Sequence, residues 1–229
     1  MRSPSLAELL SGIRDEAPIL VGVVPFGMIY GVLAVKAGLA VFPAQAMSAV
    51  VFAGSAQFIS VQLLGAGTPA WVVVVTVFVV NLRHALYSAS IAPYLTHLGA
   101  RWKGLLAYLL TDEAYAVSIT HFASGSAPRQ GLRHWYLLGA GLALWASWQV
   151  SSAAGIFLGA QVPASWALDF TLALTFIALL VPNLRDRGSV AAALAAGVTA
   201  VLGSGLPYKL GLVAAAAAGI VAGMVSEKR

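Results

Sequence analysis

The run "WVVVVTVFVV" at residues 71–80 carries no charge and leads directly into "NLRHALYSA". Apolar stretches of this kind recur along the whole chain, at about 17–36, 43–66, 69–96, 104–123, 132–160, 164–182, 188–203 and 207–225. At about 1.5 Å per helical residue they match a hydrocarbon core of roughly 30 Å, with 188–203 the shortest. Unbroken apolar runs, rather than half-buried helical spacing, are the mark of membrane spans. Only 9% of the 229 residues are charged, where a soluble domain has about 25%. The expected fold is all-α: a polytopic membrane protein with seven or eight transmembrane or re-entrant helices, some of them broken mid-membrane. The organisation that follows is a cytoplasmic segment at 1–16, one transmembrane domain at 17–226 and a short tail at 227–229.

Turn residues separate the runs, in "AVFPA", "GAGTPA", "SGSAPRQG", "AQVPAS" and "GSGLPYK". With eight crossings and an inside N-terminus, Arg2, Arg14, Arg129, Arg133, Arg185, Arg187, Lys228 and Arg229 lie inside. Lys36, Arg101, Lys103 and Lys209 then lie outside, and the excess of inside charge fits the orientation rule. A re-entrant segment among the first three would move Arg101 and Lys103 inside. The charged residues before the first run argue for a retained first span rather than a cleaved leader. The net charge of +5 reports loop orientation and not nucleic-acid binding. Cysteine is absent, which excludes disulfides, thiolate metal sites and a cysteine nucleophile. "VFPAQAMSA" and "QVPASWALD" align with Pro43 on Pro163, the pattern of an internal repeat common in transporters.

The polar residues inside the runs carry the functional information. Set on a helix at about 100° per residue, Thr76, Arg83, Tyr87, Ser90 and Tyr94 form one narrow stripe. Asn81, His84 and Ser88 form a second stripe beside it, and Phe78, Val79, Leu82, Ala85, Leu86 and Ala89 take the opposite side. A charge at the bilayer centre costs roughly 2.5–3.5 kcal/mol, so this half of the helix must face protein or a wet cavity. It is either a structural seam or a substrate and proton pathway. The functional reading is favoured because a histidine is able to titrate near neutral pH and His84 shares its face with Asn81.

Eight acids are available as partners for Arg83. Glu8, Asp15, Glu16, Asp186 and Glu227 are assigned to termini or loops. Asp112 and Glu113, in "LLTDEAYAVS", fall about nine residues into a continuous run, with Tyr108 and Tyr115 one turn away on the Asp112 side. Adjacent acids cannot share one helix face, so one of them pairs with Arg83 and the other does not. Asp169 sits near a helix start, where an acid complements the dipole.

Two stretches read as broken helices. "VVPFGMIYG" puts Pro25, Phe26 and Gly27 inside the first run, and "FAGSAQFIS" puts Gly54, Ser55 and Gln57 inside the second. Freed backbone groups and small polar side chains suit a zwitterion, and tight helix packing by small residues is the structural alternative. Catalysis is not expected. Ser55 lacks the glycine spacing of a nucleophile elbow, no His-Glu-x-x-His pattern exists, and no lysine lies mid-run for a retinal. An intramembrane serine hydrolase using Ser55 and His84 is the remaining enzymatic reading.

The segments "GVVPFGMIYGVLA", "FAGSAQF", "NLRHALYSASIAPYL", "LLTDEAYAV" and "LDFTLALTFIALLVP", in this order, resemble the AzlC family. That is the large subunit of two-component branched-chain amino acid exporters. The resemblance runs from about residue 12 to the C-terminus, and "NLRH…YSAS" and "LTDE" are its specific parts. It implies export of branched-chain and related apolar amino acids across the bacterial cytoplasmic membrane, by a multi-pass protein. It also implies a small hydrophobic subunit of the AzlD type and coupling to the proton gradient; the residues themselves suggest no cofactor or metal. On this reading Pro25, Phe26, Gly27, Gly54, Ser55, Gln57 and Asn81 contribute to the substrate site. Arg83, His84, Asp112 and Glu113 form the ion pair and proton pathway, with Tyr87, Tyr115 and Asp169 as further contributors. The alternative from another class is a scaffold or pore-forming subunit whose polar seam binds a partner.

Overall fold

The computed structural model describes residues 3–124, 130–159, 184, 186–207 and 210–227. Among them the chain is all helical, with α1 (Pro4–Lys36), α2 (Val41–Val51), α3 (Gly54–Gly65) and α4 (Ala70–Ile91) in its first part. A 3₁₀ turn (Ala92–Leu95) follows, then α5 (Ala100–Leu109), α6 (Asp112–Ala123), α7 (Arg133–Gly159), α8 (Arg187–Leu202) and α9 (Leu210–Glu227). By length and composition, α1, α4 with its 3₁₀ extension, α7 and α9 are each able to cross a membrane. The run at 164–182, Asp169 and the Pro163 half of the suggested repeat lie outside the described residues.

The chain forms two compact units, Met1–Gly65 with Val77–Val162, and Ala66–Thr76 with Pro163–Arg229. In the second, α8 and α9 pack together, and Gly203 at the end of α8 meets Gly211 backbone to backbone. Asp186 caps α8 by accepting from the Ser189 amide at 2.7 Å and its hydroxyl at 2.8 Å. These bonds favour the carboxylate and hold Asp186 below the usual carboxyl range.

The first unit is organised by α1 and α7. The Ser3 hydroxyl caps α1 by accepting from the Leu6 amide, and Pro4 starts the helix where a missing N–H is harmless. The helix then runs 33 residues, about 50 Å, without stopping at residue 16 or at Pro25. The break expected at 23–31 is therefore absent. Pro25 deprives the Val21 carbonyl of its i+4 donor, but Val21 is 77% exposed, on a side away from the packing. The packing side holds α1 against α7 through glycines. A Cβ on Gly139 would strike the Leu9 carbonyl, one on Gly155 the Met28 carbonyl, and one on Gly31 the Ser152 carbonyl. Backbone-to-backbone approach of this kind is what small residues permit in lipid.

Residue numbers rise together across this contact, with Gly12 at Tyr136, Met28 at Gly155 and Val32 at Gly159. The two helices therefore run parallel. If both cross the membrane, an odd number of crossings must separate them. The segments 43–66, 69–96 and 104–123 supply three, and a single re-entrant segment among them would invert α7.

Two of those segments are each divided into two helices. In 43–66 the break is at Phe52, which adopts left-handed φ of 38° between α2 and α3. A bulky residue there costs on the order of 1–3 kcal/mol. The orphan carbonyls at the end of α2 are satisfied from outside. The Tyr108 hydroxyl donates to the Ala49 carbonyl at 2.6 Å and Gln149 Nε2 to the Ser48 carbonyl at 3.2 Å. In 104–123 the break is at Leu110 and Thr111, between α5 and α6. Sequence reading treats this run as continuous, yet "TDE" is a helix-start signal. The Thr111 hydroxyl accepts from the Ala114 amide at 3.4 Å, and Asp112 and Glu113 occupy the first turn.

Candidate functional site at two half-helix ends

The first turn of a helix presents amide hydrogens with no intrahelical acceptor and a partial positive charge. α3 begins at Gly54 and Ser55, and α6 at Asp112 and Glu113. Arg83, within α4, reaches both. Its Nη1 is 2.5 Å from Asp112 Oδ2, and its Nη2 donates to Ser55 Oγ at 2.7 Å. A guanidinium beside two positive helix ends is repelled by them, and the Asp112 carboxylate supplies the counter-charge. The two side chains are 31% and 37% exposed, so a small ligand can reach the pair. Arg83 Nε and Asp112 Oδ1 make no hydrogen bond, which leaves donor and acceptor capacity at the pair.

The rest of the Arg83 stripe follows α6. The Tyr87 ring stacks on Tyr115 with centroids 4.6 Å apart, and Ser90 Oγ lies 2.8 Å from the Tyr115 hydroxyl. Tyr94 meets Phe122 at 5.5 Å. On the second stripe, His84 Nδ1 lies 3.2 Å from the carbonyl of Asn81 in its own helix, and Asn81 Oδ1 is buried without a partner. The Ser55 hydroxyl accepts from Arg83, and the His84 ring faces that carbonyl.

Behind the start of α3, Gln57 is fully buried and accepts from Trp148 Nε1 at 3.0 Å. Gly54 faces the same indole, with room for a Cβ only 3.1 Å from the ring. Phe26 packs edge-on to Phe58 at 4.7 Å, and Tyr30 stacks on Trp148 at 6.1 Å. Phe26, Gly54, Ser55 and Gln57 thus collect around Trp148 and Arg83. Pro25 and Gly27 do not join them. Pro25 is exposed, and a Cβ on Gly27 would strike the Ser151 hydroxyl of α7, so Gly27 serves packing.

Sequence reading missed a second polar group. Glu8, Asp15 and Glu16 are part of α1, not of a loop, and Glu8 and Glu16 are 8% and 0% exposed. Glu8 Oε2 lies 3.4 Å from His121 Nε2. The His121 ring stacks on Tyr136 at 3.9 Å, and the Tyr136 hydroxyl donates to Asp15 Oδ2 at 2.8 Å. The signal was present: positions 8, 12, 16, 23 and 27 continue the buried side of α1 at helical spacing. Among the described residues no three His, Asp or Glu side chains are grouped to hold a metal.

A charged pair at the ends of interrupted helices in an all-helical membrane protein is an arrangement that secondary transporters use. The profile of the family described as AzlC protein matches residues 18–162, and the chain belongs to the AzlC family. Inner membrane protein YgaZ of Escherichia coli is 27% identical over 98% of this chain and 91% of its own. An uncharacterized membrane protein of Archaeoglobus fulgidus is 32% identical over 91% of this chain and 90% of its own. Branched-chain amino acid transport protein AzlC of Bacillus subtilis is 27% identical over 79% of this chain and 69% of its own. No solved structure matches the chain.

Proposed function

We propose that this chain is the large subunit of a secondary transporter that exports branched-chain and related apolar amino acids across the bacterial inner membrane. The observation that carries the reading is the Arg83–Asp112 pair, which joins the starts of α3 and α6 to α4. An amino acid is a zwitterion, and it inserts into such a pair by exchange. Its carboxylate takes the Arg83 guanidinium and the free amides at the start of α3, and its ammonium takes Asp112. Phe26, Phe58 and Trp148 flank that end of α3 and suit an aliphatic side chain. Membership in a family with a relative named as a branched-chain amino acid transport protein supports the substrate class. The chain is a carrier rather than an enzyme, it works with a small AzlD-type membrane subunit, and the proton gradient drives it.

The test is transport of labelled leucine, valine, isoleucine and methionine in everted vesicles, with the full chain made alone and together with a small subunit. The expected result is pH-gradient-driven accumulation, lost without the small subunit and lost in Arg83→Ala. Normal complex assembly with no transport of any of the four would leave the chain as a scaffold.

A further inference from the structure

Glu16 is the least expected side chain in the first unit. It is fully buried, and neither carboxylate oxygen has a hydrogen-bond partner. An ionised carboxylate in such a place is strongly disfavoured by the loss of its hydration, whereas the neutral acid is tolerated. Asp112 has Arg83 as its counter-ion, and His84 is engaged by a carbonyl of its own helix. Glu16 has no such partner among the described residues.

The groups around it are all acids or weakly basic rings. From α6 it lies in Coulombic range of Glu113, and His121 of the same helix pairs with Glu8. From α7 Tyr136 faces the acids of α1. α2 and α3 carry no ionisable side chain. On α1 itself Asp15 is exposed and Arg14 points to the surface. Glu113 matters most, because it is the chain neighbour of Asp112. Two adjacent residues in the first turn of one helix serve different neighbours: Asp112 pairs with Arg83, and Glu113 lies in Coulombic range of Glu16. A ligand that moves the first turn of α6 therefore changes the field at Glu16.

We propose that Glu16 is the proton-carrying group of this protein, coupled to the ligand pair through Glu113. This deepens the transport reading and rests on it. In the state described, Glu16 holds a proton. When the start of α6 shifts on exchange of the Arg83–Asp112 pair, Glu16 becomes accessible and releases that proton to water at the Asp15 side of α1. Reprotonation from water restores the neutral acid, and no other bond is made or broken. Linkage is reciprocal: the proton at Glu16 must change ligand affinity by the same factor by which ligand changes proton affinity.

The experiment uses everted vesicles carrying the full chain with its small subunit, and two readouts. Leucine counterflow needs binding and alternation but no net proton movement, while accumulation driven by an imposed pH gradient needs coupling. Wild type without counterflow would overturn the transport reading itself, independently of Glu16. With that reading intact, Glu16→Gln is expected to keep counterflow and lose at least tenfold in pH-driven accumulation, whereas Gly22→Ala on the same helix, with nothing within 4 Å of the new Cβ, keeps both. Glu16→Gln that still accumulates like wild type overturns the proposal, as does an equal loss of coupling in Gly22→Ala. Infrared difference spectra of the isolated protein between acid and alkaline pH give a check that survives loss of transport. Glu16→Gln must lack one protonated-carboxyl band present in wild type, and unchanged bands overturn the assignment.

Discussion

Arg83 and Asp112 are 29 positions apart in the chain and meet at 2.5 Å because a run of apolar sequence stops being a helix at Thr111. Had 104–123 been continuous, Asp112 would have stood on a helix wall. It opens a helix instead, beside the hydroxyl of Ser55 that shares the same guanidinium.

Removing one partner of this pair leaves the other uncompensated. Arg83→Gln and Asp112→Asn are each expected to lower stability by about 1–3 kcal/mol, the range for leaving a hydrogen-bonding partner unsatisfied. The double variant should lose less than the sum of the two, since the residues are in contact. Thermal unfolding of the detergent-purified protein measures this, and strict additivity would remove the pair from the account. Asp112→Asn should also weaken discrimination between leucine and the same chain lacking its amine. Each 1.4 kcal/mol of lost ammonium binding corresponds to about a tenfold change.

The start of α6 depends on Thr111. Thr111→Ala removes the acceptor for the Ala114 amide and is expected to cost about 1 kcal/mol. Thr111→Ser keeps it and should behave like wild type in unfolding and transport alike. Equal losses in both variants would place the effect in packing rather than in the cap.

The contact between α1 and α7 gives a paired test. Gly155→Ala drives a methyl group into the Met28 carbonyl, and neither backbone can yield cheaply. The expected cost is about 1–3 kcal/mol, read as loss of folded protein after extraction. Gly22→Ala, on the same α1, has nothing within 4 Å of the new Cβ. It should be neutral or stabilise by up to about 1 kcal/mol, as alanine does for glycine within a helix.

The helical class and the bounds of two runs are legible in the sequence because apolar length is a strong signal that neighbours do not alter. The run read at 132–160 is helix Arg133–Gly159, and that at 188–203 is Arg187–Leu202. The Arg83 stripe is legible for the same reason: periodicity alone put Arg83, Tyr87, Ser90 and Tyr94 on one side. Of the interruptions, the one expected within "FAGSAQFIS" is present at Phe52, the one expected at Pro25 is absent, and the one at Leu110–Thr111 is not expected from the sequence. Pro25 lies inside a helix because α7 braces the other side, and a proline shows only that a hydrogen bond is missing. The Phe52 break shows no proline. It depends on Tyr108 and Gln149 arriving from distant helices to satisfy freed carbonyls. The acids of α1 precede the apolar run and so read as a chain terminus, although the spacing of Glu8 and Glu16 continues the buried side.

The parallel contact of α1 and α7 also limits how the first unit is able to move. Helices locked by carbonyls lying over glycines do not slide past each other in small steps, since any shift drives a backbone into its neighbour. The two therefore act as one strut. The short levers, α2 with α3 and α5 with α6, each have a joint where the helical hydrogen-bond ladder is already open, at Phe52 and at Leu110–Thr111. A working cycle that turns on these joints leaves the strut still. Cross-linking α1 to α7 would then be silent, whereas fixing either joint would stop the machine.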